Sequence, residues 1–184
     1  MTRWLQLIAN FYARLVEYLH WGAPLSLLLF RLWVALAFWR AGVVKWNDPD
    51  GTLALFQTTY HVPLLPPEWA APLGTYVELL LPWLLGLGLI GRPAAAFLFV
   101  YNMVAVTSYP DLWPNGLWHD FWHEGFVDHK IWGMMLFALI IYGPGELSID
   151  AVLRRWFWPR WIHLSAASAG KSCKSYGATC DGDG

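Results

Sequence analysis

Residues 71–91 read APLGTYVELLLPWLLGLGLIG. Glu78 is the one charge in this run, and spanning the hydrocarbon of a bilayer takes roughly 20 mostly apolar residues at about 1.5 Å each. The segment therefore predicts a membrane-crossing helix. Working outward, three more stretches qualify or nearly so. Pro24 to Val44 is interrupted by Arg31 and Arg40. Pro93 to Tyr109 is short but free of charge, and Phe126 to Tyr142 opens with Asp128, His129 and Lys130. Gly91-Arg92-Pro93 makes a tight turn, so the second and third helices must be antiparallel neighbours. Pro110 and Pro114 end the third helix, and Gly143-Pro144-Gly145 ends the fourth. The expected fold is all-α, a bundle of four transmembrane helices.

Composition agrees. Of 184 residues 57% are hydrophobic and 14% charged, with a mean hydropathy of +0.38. A soluble domain carries about 25% charged residues. Net charge is −1 and the pI about 6.6, which excludes a basic nucleic-acid surface and a disordered polyelectrolyte. The first 20 residues carry Arg3, Arg14 and Glu17 and have no short uninterrupted apolar core, so no cleavable signal peptide is expected.

Lys and Arg outside the spans set the orientation. One face receives Arg3, Arg14, Arg92, Arg154, Arg155, Arg160, Lys171 and Lys174; the other receives Lys45 and holds Asp48, Asp50, Glu68, Asp111, Asp120 and Glu124. Both termini are expected on the cytoplasmic side of a multi-pass protein. Ten of the 14 tryptophans fall near a boundary: Trp4, Trp21, Trp156, Trp158 and Trp161 inside, Trp46, Trp69, Trp113, Trp118 and Trp122 outside. An indole suits the headgroup region, so these read as anchors in contact with lipid.

Four units follow: an amphipathic interfacial helix over 1–21, the membrane domain over 22–145, a second interfacial helix over 146–164, and a tail over 165–184. Trp4, Ile8, Phe11, Leu15 and Leu19 recur at helical spacing in the first. In the third, Ser148 is placed to cap a helix from Ile149 to Phe157, with Asp150 in its first turn. Asp50 is placed to cap a short helix through Gln57 in the first outer loop. The tail, rich in Ser, Gly and Ala, is expected to be disordered. Its Cys173 and Cys180 lie where disulfides rarely persist and read as bystanders.

Charges within a span are costly and are functional suspects. With Pro24, Gly91 and Tyr142 near one boundary, Arg31 sits about 10 Å deep, Asn102 about 14 Å, Lys130 about 18 Å, Glu78 and His129 about 20 Å, and Arg40 about 24 Å. Glu78 is then level with Arg40, His129 and Lys130, and these four are the expected constellation. Such a group fits proton-coupled work or a polar ligand such as a quinone ring; it equally fits an ion-pair network that holds the helices together. Arg31 reads as a snorkelling or bundle-locking residue.

In the second outer loop His119 and His123 stand four apart, as do Asp120 and Glu124. On a helix both imidazoles share a face and can ligate copper or zinc, with Asp128 and His129 able to complete the set. A wet acidic loop also holds histidines without metal. No phosphate loop, nucleophile elbow, dinucleotide fingerprint or haem-attachment motif occurs.

Several of these elements form an ordered set that resembles the DoxX family. They are Arg31, Ala41-Gly42 followed by Lys45-Trp46, Glu78, Gly86-Leu87-Gly88, Tyr109-Pro110-Asp111-Leu112-Trp113-Pro114, His129-Lys130-Ile131-Trp132, and the ending Gly143-Pro144-Gly145-Glu146-Leu147-Ser148-Ile149-Asp150. The likeness runs from about Leu25 to Arg155. It implies a four-helix protein of the bacterial inner membrane, with Arg31, Lys45, Glu78, Ser148 and Asp150 at characteristic positions. Some relatives are membrane subunits of thiosulfate:quinone oxidoreductase, others accompany soluble redox or sulfur-transfer enzymes, and others stand beside systems that make modified, metal-binding peptides. The resemblance thus implies a redox-associated membrane subunit or accessory component, with a redox-enzyme or peptide-modifying partner. The alternatives are an outer-face site for a metal or metal-bearing peptide, and a scaffold with no site of its own.

Overall fold

The computed structural model describes residues 2–157, the side chains of residues 2, 20 and 21 excepted. Its elements are α1 (Thr2–Asn47), α2 (Pro49–Thr58), α3 (Pro67–Leu87), α4 (Gly91–Ser108), a single 3₁₀ turn (Pro110–Leu112), α5 (Leu117–Trp122) and α6 (Val127–Tyr142). Residues 149–157 are helical again, and no strand occurs among the described residues. The fold is all-α. The tail with Cys173 and Cys180, and the second interfacial helix beyond residue 157, lie outside the described residues.

By length and composition two helices suffice to cross a membrane, α1 and α3. Helices α4 and α6, of 18 and 16 residues, complete the bundle. Successive helices run antiparallel, as paired contacts demonstrate. Trp46 meets Tyr76 while Trp39 meets Trp83 between α1 and α3. Arg92 meets Ile141 while Phe99 meets Phe137 between α4 and α6. The core is Val34, Phe38, Leu85, Ala95, Leu98, Leu136 and Leu139, one or two from each long helix. In lipid the tails are as apolar as these side chains, so close packing rather than water exclusion holds the helices together.

One expected boundary is revised. The interfacial helix over 1–21 and the span from Pro24 form a single 46-residue helix, about 69 Å long against a hydrocarbon core of about 30 Å. Pro24 removes one backbone donor but does not end the helix. The Ser26 hydroxyl bonds the Gly22 carbonyl at 3.0 Å across this turn. Trp4, Ile8, Phe11 and Leu19 are all exposed on this extension.

The caps divide between expectation and correction. Ser148 Oγ accepts from Ala151 N at 3.2 Å, capping residues 149–157 as read from the sequence. Asp48, not Asp50, caps α2: its carboxylate accepts from Gly51 N at 2.9 Å, and Pro49 takes the first helical position, where no N–H is needed.

Candidate functional site

The centre of the bundle is set by a close approach. A Cβ at Gly42 would stand 2.9 Å from the Glu78 backbone, so glycine there lets the main chains of α1 and α3 approach closely. Lys45 lies three residues on, on the same face of α1. A helical side chain leans toward its own N-terminus, which brings the ammonium back to Glu78. Lys45 Nζ and Glu78 Oε2 are 2.5 Å apart, and Tyr101 on α4 donates to Glu78 Oε1 at 2.8 Å. Glu78 is 5% exposed. Its carboxylate thus holds a cation on one oxygen and a phenol on the other, tying three helices to one point.

Beside this group α4 and α6 share a reciprocal pair. Asn102 Nδ2 donates to the His129 carbonyl at 2.9 Å, which fixes the amide's orientation and leaves Asn102 Oδ1 to face His129 Nδ1 at 2.8 Å. An amide oxygen only accepts, so Nδ1 carries the hydrogen, and in the neutral ring Nε2 is an acceptor. The imidazole packs on Trp132, which packs on Phe38.

A cavity of about 470 Å³ opens over these residues. Lys45, Glu78, Tyr101, His129 and Trp132 form part of its lining, and Tyr60 and Tyr109 close the outer end. Leu73 on α3 and Phe97 and Val100 on α4 also line it and are themselves more than half exposed, so the cavity opens sideways between α3 and α4. Ser108 lines it too. This residue is 2% exposed and its hydroxyl has no hydrogen-bond partner among the described residues. An unpaired buried hydroxyl is costly, and one in a cavity wall is a ready donor for an occupant.

The opposite end is structural. Arg31 is fully buried and its Nη2 donates to the Leu147 carbonyl at 2.5 Å, with Nε and Nη1 unpaired among the described residues. Gly88 ends α3 in the left-handed region at φ 67°, with its α-carbon against that guanidinium. Both oxygens of Asp150 accept from the turn, at 2.8 Å from Ile90 N and 2.7 Å from Gly91 N, and so cap α4 from across the chain. Arg31, Ser148 and Asp150 therefore lock α1, the α3–α4 turn and the chain after α6. Asp150→Ala should cost about 2 kcal/mol. Asp150→Asn should cost about half of that, since an amide keeps one acceptor oxygen. Thermal unfolding of the detergent-solubilised variants measures both.

The outer loop resolves differently from its sequence reading. His119 sits on α5 and His123 directly follows its last residue; their rings stack at 4.1 Å, and His123 Nδ1 donates to the His119 carbonyl at 2.7 Å. Asp120 is buried and committed to the loop itself. It accepts from Asn115 N at 3.0 Å and Nδ2 at 3.2 Å, and from His119 Nδ1 at 3.1 Å. Glu124 is exposed. Among the described residues no three His, Cys, Asp or Glu side chains are grouped to hold a metal ion. The expected set of His119, His123, Asp120 and Glu124 does not converge, because the carboxylate nearest the imidazoles is used to close the turn.

The bonds from His119 and Asn115 hold the Asp120 carboxyl below its ordinary value of 3.8. A depressed folded-state pKa contributes stability that is present above the unfolded value and lost as pH falls through the folded one. Hydrogen exchange in residues 115–123, corrected for its intrinsic pH dependence, should hold steady down to about pH 4 and accelerate below it. Asp120→Asn should remove that acid-dependent step.

Two members of the expected central constellation belong elsewhere. Arg40 is exposed and forms no ion pair among the described residues; it stands two residues from Phe38, about 200° around the helix. Lys130 is in the first turn of α6 and donates to the carbonyls of Phe121 at 3.1 Å and His123 at 2.7 Å, closing the end of α5. Lys45, known beforehand through the family likeness alone, takes the place of both. Its signal lay in helical phase: Arg31, Val34, Ala35, Phe38, Gly42 and Lys45 make one continuous stripe on α1. Tyr101 and Ser108 had not been singled out, since neither hydroxyl stands out in an aromatic and apolar segment.

An all-helical bundle with an apolar exterior and a buried lysine–carboxylate–phenol group defines a class of integral membrane protein. Residues 26–110 match the DoxX family model. Arg31, Lys45, Glu78 and Tyr101 lie within it; His129, Ser148 and Asp150 lie beyond it. A protein of Haemophilus influenzae described as uncharacterized is 29% identical over 138 residues, covering 73% of this chain and 87% of its own. No solved structure matches.

Proposed function

We propose that this DoxX-like membrane protein binds a lipophilic carbonyl compound, a quinone, and serves a redox enzyme as a membrane subunit or accessory component. The observation that carries the reading is the cavity between α3 and α4. It is walled by apolar side chains, opens toward lipid, and ends on Lys45, Tyr101 and the unpaired Ser108 hydroxyl. Ligand sites of this kind are mostly apolar with a few convergent polar groups. A quinone oxygen is an acceptor: Lys45 keeps two N–H donors beyond its bond to Glu78 and Ser108 a free hydroxyl, while the one hydrogen of Tyr101 is committed to Glu78. Glu78 orients two of them, and His129 Nε2 offers the acceptor that a reduced quinol hydroxyl would need. Electrons would come from the partner enzyme. In the same reading α1, α3, α4 and α6 are four spans of a bacterial inner membrane. The arginine-rich end, with both chain termini, is cytoplasmic, in keeping with the charge asymmetry.

The test is binding of decylubiquinone to the protein in lipid nanodiscs. About one saturable site per chain is expected, weakened at least tenfold by Lys45→Met and severalfold by Ser108→Ala. Uptake no greater than that of empty nanodiscs would end the proposal.

A further inference from the structure

At the basic end a second cavity, of about 740 Å³, lies between the start of α4, the end of α6 and the mid-part of α1. Pro24, Leu27, Pro93, Tyr142 and Pro144 give it apolar walls, and Arg92 and Arg154 stand at its margin. The acidic groups nearby are already used. Glu146 pairs with Arg155 at 3.3 Å, and both oxygens of Asp150 are taken by the α3–α4 turn. Arg92 spends one N–H on the Ile141 carbonyl at 3.2 Å, and Arg154 has no acceptor among the described residues. Counting Arg31, Arg92, Arg154 and Arg155 against Glu146 and Asp150, the neighbourhood carries a surplus of two positive charges (4 − 2).

We infer that this cavity is a binding site for an anionic glycerophospholipid, its phosphodiester held between Arg92 and Arg154 and its glycerol and first methylenes against Leu27, Pro93 and Tyr142. Three features select this ligand. Guanidinium groups match a phosphate with paired donors. The cavity lies where α4 begins and α6 ends, which is headgroup level in a bundle spanning the bilayer. Basic pockets between helices at this level are suited to lipid headgroups, and apolar walls have no use for a free ion.

The experiment is thermal unfolding of the whole protein in a neutral detergent with added phosphatidylglycerol, phosphatidylcholine or inorganic phosphate. Phosphatidylglycerol should raise Tm by several degrees, with little change from the other two. The Arg92→Gln/Arg154→Gln variant should lose the shift, its lipid-free Tm lowered only by the loss of the exposed Arg92 bond to the Ile141 carbonyl. Arg154→Gln alone removes no hydrogen bond or ion pair among the described residues, and by native mass spectrometry it should weaken phosphatidylglycerol retention about fivefold. An equal shift from phosphatidylcholine would reduce the cavity to general lipid solvation, and an equal shift from phosphate would make it a small-anion site. Either result, or full retention by Arg154→Gln, overturns the inference.

Discussion

Lys45→Met is expected to cost the folded protein about 3–5 kcal/mol, because it leaves the Glu78 carboxylate buried without its cation. Glu78→Leu should cost less, about 1–3 kcal/mol. Lys45 is in the last turn of α1 and can carry its ammonium toward water at that end of the bundle, so the main loss is the acceptor of the Tyr101 hydroxyl. The double variant should recover most of the deficit, since a buried ion pair is often matched by well-packed apolar residues of similar volume. The three values form a double-mutant cycle, read from unfolding in mixed micelles. Simple additivity would mean that the pair is not coupled in the folded protein. The same double variant separates structure from function. A stable bundle that no longer takes up decylubiquinone shows that the pair is kept for its ligand, while unchanged uptake assigns it to packing alone.

Gly88→Ala should be at least as damaging, above about 4 kcal/mol. The φ of 67° alone costs an L-residue about 1–2 kcal/mol. The larger part is steric. The new Cβ would overlap Arg31 Nη1 and stand 2.5 Å from Ser148 Cβ. Neither neighbour can yield cheaply: the guanidinium is fully buried and bonded to Leu147, and Ser148 caps the segment after α6. In an Arg31→Met background the alanine should cost markedly less, because the flexible thioether can move aside. Equal costs in the two backgrounds would place the damage in the backbone turn and the contact with Ser148, not in the contact with Arg31.

The membrane-bundle class was legible in residues 71–91 and in the turns around them, and α3, α4 and α6 begin or end within a few residues of the expected points. Arg31, whose depth suits a snorkelling or bundle-locking residue, is fully buried and bonded to the Leu147 carbonyl. Choosing Arg40 for Glu78 failed for a definable reason. Depth along the axis compares Cα heights, whereas contact also depends on rotation about the axis and on the reach of the side chain. Lys45 is too far along α1 by height, yet its stem points back and its face is the one turned to α3. Lys130 misled in the same way: it was assigned to the bundle interior by height, but it closes α5.

The outer loop carries the complementary lesson. The four-residue spacing of His119 and His123 did put both rings on one helical face. What spacing could not reveal is that Asp120 is consumed by Asn115, which depends on how the chain turns before α5.

Sequence by itself determined the solvent of this protein, its helical class, the unequal charge of its two ends and the spacing of its turns, because hydropathy and helix-breaking residues act locally along the chain. Tertiary structure alone decided that Lys45 meets Glu78, that Asp150 caps a helix sixty residues away, and that α3 and α4 part to leave a cavity with an unpaired Ser108. Those outcomes depend on how four helices are rotated and how closely they approach, and that is fixed by the fit of Gly42, Gly88 and their neighbours against one another.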